Sequence, residues 1–292
     1  MRAARGVAPL QGGVAMAIVT ISRGTMSGGE ALAKCLAARL GYPSLGREVL
    51  VEAAARLGVS EELLREKIQT SIGLFEKLTS DRHVYLVALQ SALADQCVSG
   101  NLIYHGNAGH FLLKDLPNVL RVRLIAPMAV RVRAVVERQG LSPEAARDYI
   151  RFVDQERIEW TKFIYGVDWR DPKNYDLVIN LQRISLEGAC AMVAGILETP
   201  AYATTEEVKK KLQDFALACR VKLALVATPK WQGIHFDVEL KGGRARISWP
   251  LAHGATPGPA EKREICQIAE SVAGVAEVAI DFRDAAGSVK AG

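Results

Sequence analysis

The chain has 292 residues, 49% of them hydrophobic, enough to bury a substantial core, which excludes an intrinsically disordered polypeptide. Lys and Arg exceed Asp and Glu by five (37 against 32), which suits an anionic substrate but is not the dense basic patch of a nucleic-acid-binding domain. No apolar run approaches the ~20 residues of a membrane-spanning helix.

Residues 1–13 read as a disordered tail, with Met16 as an alternative start, and the apolar stretch after the basic N-terminus is too short for a signal peptide. Val14 to Ser22 is a nearly continuous apolar run, the pattern of a parallel strand buried on both faces. A glycine-rich turn follows, then a helix with Leu32, Leu36 and Leu40 on one face, stopped by Gly41-Tyr42-Pro43. Further helices are predicted over 47–57, 60–70 and 81–98, the second opened by Ser60 with acids in its first turn. Residues 101–106 and 119–126 read as strands. A helix starts at Pro127 and ends at Gly140, and Ser142-Pro143 opens a long charged helix. Residues 175–180 form a fourth strand, followed by a helix from Ser185 to about Leu197. Strands alternating with helices define an α/β domain with a parallel sheet over 14–198.

Residues 199–203 read as a linker, ending in a capping box from Thr204 to Glu207. In 204–283 the period changes to two: Ile234, Phe236, Val238 and Leu240 alternate with polar neighbours, as do Ala245, Ile247 and Trp249. Lys241-Gly242-Gly243 joins these runs as a hairpin, and His235 alternates outward. A helix with Ile265, Ile268, Ala269 and Val272 and a last strand with Val278, Ile280 and Phe282 complete a small α+β domain, with 284–292 as a disordered tail. Lys209 to Lys211 read as a solvated face. The cysteines, Cys35, Cys97, Cys190, Cys219 and Cys266, include no C-x-x-C pair and read as reduced thiols of a cytoplasmic protein, with no metal site implied.

The glycine turn carries the chemistry. Between a buried strand and a helix, such a turn lets main-chain N–H groups converge on a phosphate, and the helix N-terminus adds favourable partial charge. Gly24, Ser27, Gly28 and Gly29 supply that geometry. In the pattern G-x-x-x-x-G-K-[ST] a lysine and a hydroxyl follow. Here Glu30 or Gly29 stands in the lysine slot, depending on register, and Ala31 offers no hydroxyl. The turn alone leaves a bare strand-to-helix connection as open as a phosphate site.

Three collinear stretches, "ITISRGTMSGGEALAKCLAARLGYP", "PNVLRVRLIAPMAVRVRAVVER" and "DQERIEWTKFIYGVDWRDPKNYDLVIN", resemble the bacterial cytidylate kinase-like family, a branch of the P-loop nucleoside monophosphate kinases, over about residues 16–198. The resemblance implies a three-layer P-loop kinase fold, ATP and Mg²⁺ as co-substrate and metal, and a nucleotide acceptor. A loop without lysine is common in this branch. Carried over, Arg23, Gly24, Thr25, Ser27, Gly28 and Gly29 hold the ATP phosphates, and Arg131 is the basic residue of the helix after the strand. Arg151, Asp154 and Arg157 belong to a mobile lid, where spacings of three on a helix let one carboxylate orient two guanidiniums. Arg47, His105, Gly106 and Asn107 fall in the acceptor region. The chain departs from the family at Glu30, usually arginine; at Gly46, usually aspartate; and at His105, in the place of an acceptor-gripping arginine.

Residues 204–282 resemble a BON domain, of αββαβ order, which implies a lipid or protein partner; homo-oligomerisation stays open. The resulting expectation is ATP-dependent phosphoryl transfer to a CMP- or dCMP-like acceptor. The alternative is a catalytically weak or inactive nucleotide-binding sensor that signals through the C-terminal unit.

Overall fold

In the computed structural model, which describes residues 17–64, 79–106, 108–114, 116–203, 205–250, 257–283 and 289–290, the apolar run at the start forms β1 (Ile18–Arg23). The glycine loop leads from it into α1 (Gly29–Leu40). Then come β2 (Ser44–Leu45), α2 (Glu48–Leu57), α3 (Thr79–Cys97), β3 (Leu102–Tyr104) and the one-turn α4 (Gly109–Leu112). They are followed by β4 (Val119–Ile125), α5 (Met128–Gln139), the long α6 (Pro143–Tyr165), β5 (Leu177–Asn180) and α7 (Leu186–Leu197). The five strands form one parallel sheet ordered β2-β3-β1-β4-β5, so β1 and the loop at its C-terminal end lie at the centre.

Because strand side chains alternate, β1 feeds two cores. Val19 and Ile21 pack with Leu32 and Leu36 of α1 and Val193 of α7. Ile18 points the other way, towards Val49 and Ala53 of α2, Leu89 and Leu93 of α3 and Leu112 of α4. Helix starts follow the sequence signals: Ser60, Ser142 and Ser185 each accept a bond from the amide three residues on.

The C-terminal unit runs α8 (Glu206–Ala227), β6 (Asp237–Lys241), β7 (Arg244–Pro250), α9 (Pro259–Glu270), β8 (Glu277–Arg283) and β9 (Val289–Lys290), with sheet order β6-β7-β8-β9. Gly242 and Gly243, both at positive φ (58° and 83°), close the β6–β7 hairpin in two residues. Trp231, Phe236 and Trp249 meet edge-to-face in its core.

Helix α8 also belongs to the core under the five-stranded sheet. Leu212, fully buried, joins the cluster of Ile18, Leu89 and Leu93, while Val84 and Val87 of α3 join that of Trp231 and Phe236. Ala216 and Cys219 of α8 meet Ala94 of α3, small residues that let two helices approach closely. Asp95 of α3 pairs with Arg220 of α8 at 2.7 Å and with Arg56 of α2 at 2.8 Å. We therefore expect Leu212→Ala to cost about 2–5 kcal/mol in urea unfolding and to shift one transition covering both units. A separate early transition of the C-terminal unit alone would show that the two cores are independent.

Several expectations are corrected. Cys35 of α1 and Cys190 of α7 form a disulfide; they are 155 residues apart, and only the adjacency of the two helices on one sheet face brings them together. Cys97, Cys219 and Cys266 take no part in a disulfide. His235 alternates outward as expected, exposed between half-buried Ile234 and buried Phe236, but it precedes β6, which starts at Asp237, and its ring meets that of His83 in α3, 4.0 Å between centroids. The cap of α8 is Thr205, whose hydroxyl accepts from the Val208 amide, one residue beyond the expected Thr204. β2 and β9 are two-residue strands, too short to leave a pattern; β9 lies within 284–292, read as a tail. Among the described residues no helix is long and apolar enough to cross a membrane.

Candidate active site

The loop after β1 keeps a phosphate-binding conformation without the lysine. Gly28, at φ 87°, is the N-cap of α1, and no side chain caps the helix. The first-turn amides are thus presented to a ligand. Met26 holds a left-handed φ of 57°, a conformation that costs a non-glycine residue energy and that clusters at functional sites. The Ser27 hydroxyl is buried with no protein hydrogen-bond partner. A Cβ on Gly24 would stand 3.0 Å from that hydroxyl and 3.1 Å from the Arg131 guanidinium, so both groups crowd the bare Cα. Loop amides and an orphaned hydroxyl beside a guanidinium form a donor set that fits a triphosphate.

Cations reach the loop from three elements. Arg23 ends β1, runs over Gly29, where a Cβ would lie 2.6 Å from its Cδ, and donates to the Gly106 carbonyl at 3.4 Å. Burial, then the neighbouring Arg157, lowers its pKa to about 10, which leaves it charged at neutral pH. Arg131, in the first turn of α5, donates through Nε to the Thr25 carbonyl at 2.6 Å and pairs with Asp154 of α6. Asp154 Oδ1 accepts both the Thr25 amide and the Thr25 hydroxyl at 2.9 Å. Arg157, one turn further along α6, donates to the Arg23 carbonyl at 3.1 Å and to the Thr25 hydroxyl at 3.2 Å. The structure thus brings Arg23, Gly24, Thr25, Ser27, Gly28, Gly29, Arg131, Asp154 and Arg157 together.

It does not bring in Arg151. That side chain is exposed and faces Asp148 at 3.9 Å, because Asp154 is already taken by Thr25, Arg131 and Arg157 (3.6 Å). Arg47 is also turned away: it precedes α2 and forms an exposed ion pair with Glu61, Nη2 to Oε2 at 2.9 Å. His105 packs its ring on Gly46, where a Cβ would stand 2.6 Å from Cε1, so these two departures from the family pattern touch each other. Burial and Arg23 hold its imidazole below its ordinary pKa. Asn107 lies outside the described residues. Glu30 does not face the loop as a bare charge; Lys34 at 2.8 Å and Arg138 at 3.8 Å flank its carboxylate.

A cavity of about 380 Å³ opens beside the loop. Ser22, Arg23, Gly106, Ala108 and His110 line it from the ends of β1 and β3 and the start of α4, and Tyr149, Phe152, Glu156, Arg157 and Trp160 from one face of α6. His110 was not singled out in the sequence. A lone histidine there carries no spacing signal, yet it is 4% exposed, its Nε2 is unpartnered, and Phe111 and Tyr175 pack on the ring. Burial, with Arg121 and Arg123 nearby, pushes its pKa down to about 3, so it is neutral at physiological pH.

This depression makes a stability prediction. The unfolded chain takes up this proton near pH 6.5 and the folded chain only near pH 3, so stability is lost as pH falls through that window, by at most about 1.4 kcal/mol per pH unit. Between pH 7.5 and pH 5, we expect the wild type to lose about 2 kcal/mol more than His110→Gln in urea titrations. Equal losses would mean the imidazole protonates in the native state.

A parallel sheet with helices on both sides, a glycine loop at its centre and guanidiniums converging on that loop define a phosphate-binding α/β protein. Residues 18–183 match the model of the cytidylate kinase-like family, more than half the chain, and the chain belongs to that family. Two relatives are the cytidylate kinases of Pyrococcus horikoshii, 26% identical over 62% of this chain and 88% of that one, and of Ignicoccus hospitalis, 27% identical over 62% and 99%. Among solved structures, an uncharacterized protein from Eubacterium ventriosum is 19% identical, over 63% of this chain and 99% of that one, with a TM-score of 0.49.

Proposed function

We propose that the chain transfers the γ-phosphoryl group of ATP to a nucleoside monophosphate, CMP or dCMP. The observation that carries this reading is the seating of Arg157 and the Asp154–Arg131 pair on the loop at Thr25, beside a cavity large enough for an acceptor. Phosphoryl transfer asks for positioning and for cations around the transferred group rather than covalent chemistry. In this proposal the first-turn amides and Ser27 hold the β- and γ-phosphates. Arg131 and Arg157 neutralise charge on the moving group, and Arg23 spans the loop and the cavity. Mg²⁺ arrives on the triphosphate, coordinated by phosphate oxygens and water. Among the described residues no cluster of three or more His, Cys, Asp or Glu forms a separate metal site.

A coupled ADP-release assay with Mg²⁺ across CMP, dCMP, UMP, AMP and GMP tests the activity. Turnover with at least one acceptor is expected; none above background, together with measurable ATP binding, would leave a nucleotide-binding sensor. One observation favours that second reading: α8 of the C-terminal unit packs in the kinase-side core, so the two units share buried residues through which a bound nucleotide could be sensed. The C-terminal unit is proposed to act as a BON-like module with a protein or lipid partner; its helix–strand–strand–helix–strand order, extended by the two-residue β9, supports this. Its exposed sheet face carries balanced pairs, Arg244–Glu277 and Arg246–Asp281, which favours a protein over an anionic lipid surface. Flotation of the full chain with anionic vesicles decides between them: comigration would favour lipid.

A further inference from the structure

The wall of the cavity is one stripe of α6. Tyr149, Phe152, Glu156 and Trp160 recur at intervals of three and four, so their side chains share a face. Within that stripe Glu156 sits one turn from Phe152 and one turn from Trp160. Phe152 is 65% exposed, an aromatic surface left open at the cavity mouth, of the kind on which a planar ring stacks. Among the described residues lining the cavity, Glu156 is the only carboxylate. None of the described ion pairs or hydrogen bonds involves it, whereas its neighbour Glu159 accepts from Gln155 at 2.9 Å.

Transfer requires the acceptor phosphate to lie against the loop, where Arg157 and Arg23 line the cavity. The rest of the ligand is then left to the remaining lining, which includes the aromatic stripe and Glu156. A carboxylate there repels an anion and accepts only from donors, which on a nucleotide are the ribose hydroxyls and the N–H groups of the base; of these, the exocyclic amine is the one cytosine has and uracil lacks. We propose that Glu156 sets acceptor specificity by taking a hydrogen bond from the exocyclic amine of the acceptor's base, selecting cytosine over uracil. The inference rests on the kinase reading, since that reading fixes which end of the acceptor meets the arginines. Cytosine presents an amine where uracil presents a carbonyl oxygen, and a carboxylate facing that oxygen is left without a donor at that position. A well-placed pair of this type discriminates between bases by roughly ten-fold or more. Glutamine, which both donates and accepts, serves either base.

Trp160 and Trp169 both line the cavity, so intrinsic fluorescence reports acceptor binding without turnover. In titrations of the full chain, CMP is expected to bind at least ~10-fold tighter than UMP, and Glu156→Gln to bring the two within ~3-fold, mainly by weakening CMP. Glu156→Ala should also lose the preference, which guards against an effect peculiar to the amide. Equal affinities in the wild type, or a CMP preference intact in Glu156→Gln, would overturn the assignment of Glu156. The ADP-release assay is scored separately: a Glu156-dependent CMP preference without turnover sinks the kinase reading and leaves the specificity residue standing.

Discussion

Replacing Arg157 with alanine is expected to lower kcat by on the order of 10³-fold, the scale on which an arginine acts when it neutralises a transferred phosphoryl group. Its guanidinium reaches the loop from α6, within 3.1 Å of the Arg23 carbonyl and 3.2 Å of the Thr25 hydroxyl. Burial, and the nearby Arg131, disfavour its charge, while Asp154 supports it. A cation held at such cost without full neutralisation is poised for an incoming anion. Arg157→Lys should recover only part of the loss, because an ammonium lacks the planar fork. Steady-state kinetics at saturating ATP give the answer; an unchanged kcat would remove Arg157 from the reaction.

Asp154→Ala should produce the second largest effect, with two distinguishable parts. The carboxylate collects the Thr25 amide, the Thr25 hydroxyl and Arg131, and its loss leaves a mostly buried guanidinium without its counter-ion. Breaking such a pair costs about 3 kcal/mol, measured by urea unfolding. It also frees Arg131 and Arg157 from their positions, and misplacement of that order lowers kcat by roughly 10²-fold. The ATP dissociation constant should move by less than about five-fold, because a removed negative charge offsets the lost positioning. A kcat unaffected by the substitution would reduce Asp154 to a structural latch.

The central sheet was legible because β1, β4 and β5 are apolar runs between clear breakers, and because Ser60, Ser142 and Ser185 cap their helices as read. The loop was legible from its glycines, though not the left-handed Met26, since methionine gives no hint of positive φ. Arg131, Asp154 and Arg157 come from two helices, and only the family resemblance placed them together. The same resemblance brought in Arg151, which the structure leaves facing Asp148: a helix makes both Asp148 and Asp154 its neighbours, and which one it meets depends on what else claims Asp154. The Cys35–Cys190 disulfide, the tilted His83–His235 ring contact and the entry of Leu212 into the kinase-side core depend on packing between distant segments, which no local pattern encodes. His110 and Glu156 became visible once the sheet ends and α6 enclosed a cavity.

The most direct test is a calorimetric titration of the full chain with ATP and Mg²⁺. Sub-millimolar binding, weakened at least ten-fold in Arg131→Ala, is what gripping a triphosphate by loop amides and guanidiniums, in place of a lysine ammonium, requires. If no heat of binding were seen at millimolar ATP or GTP, the loop would be only a turn between strand and helix.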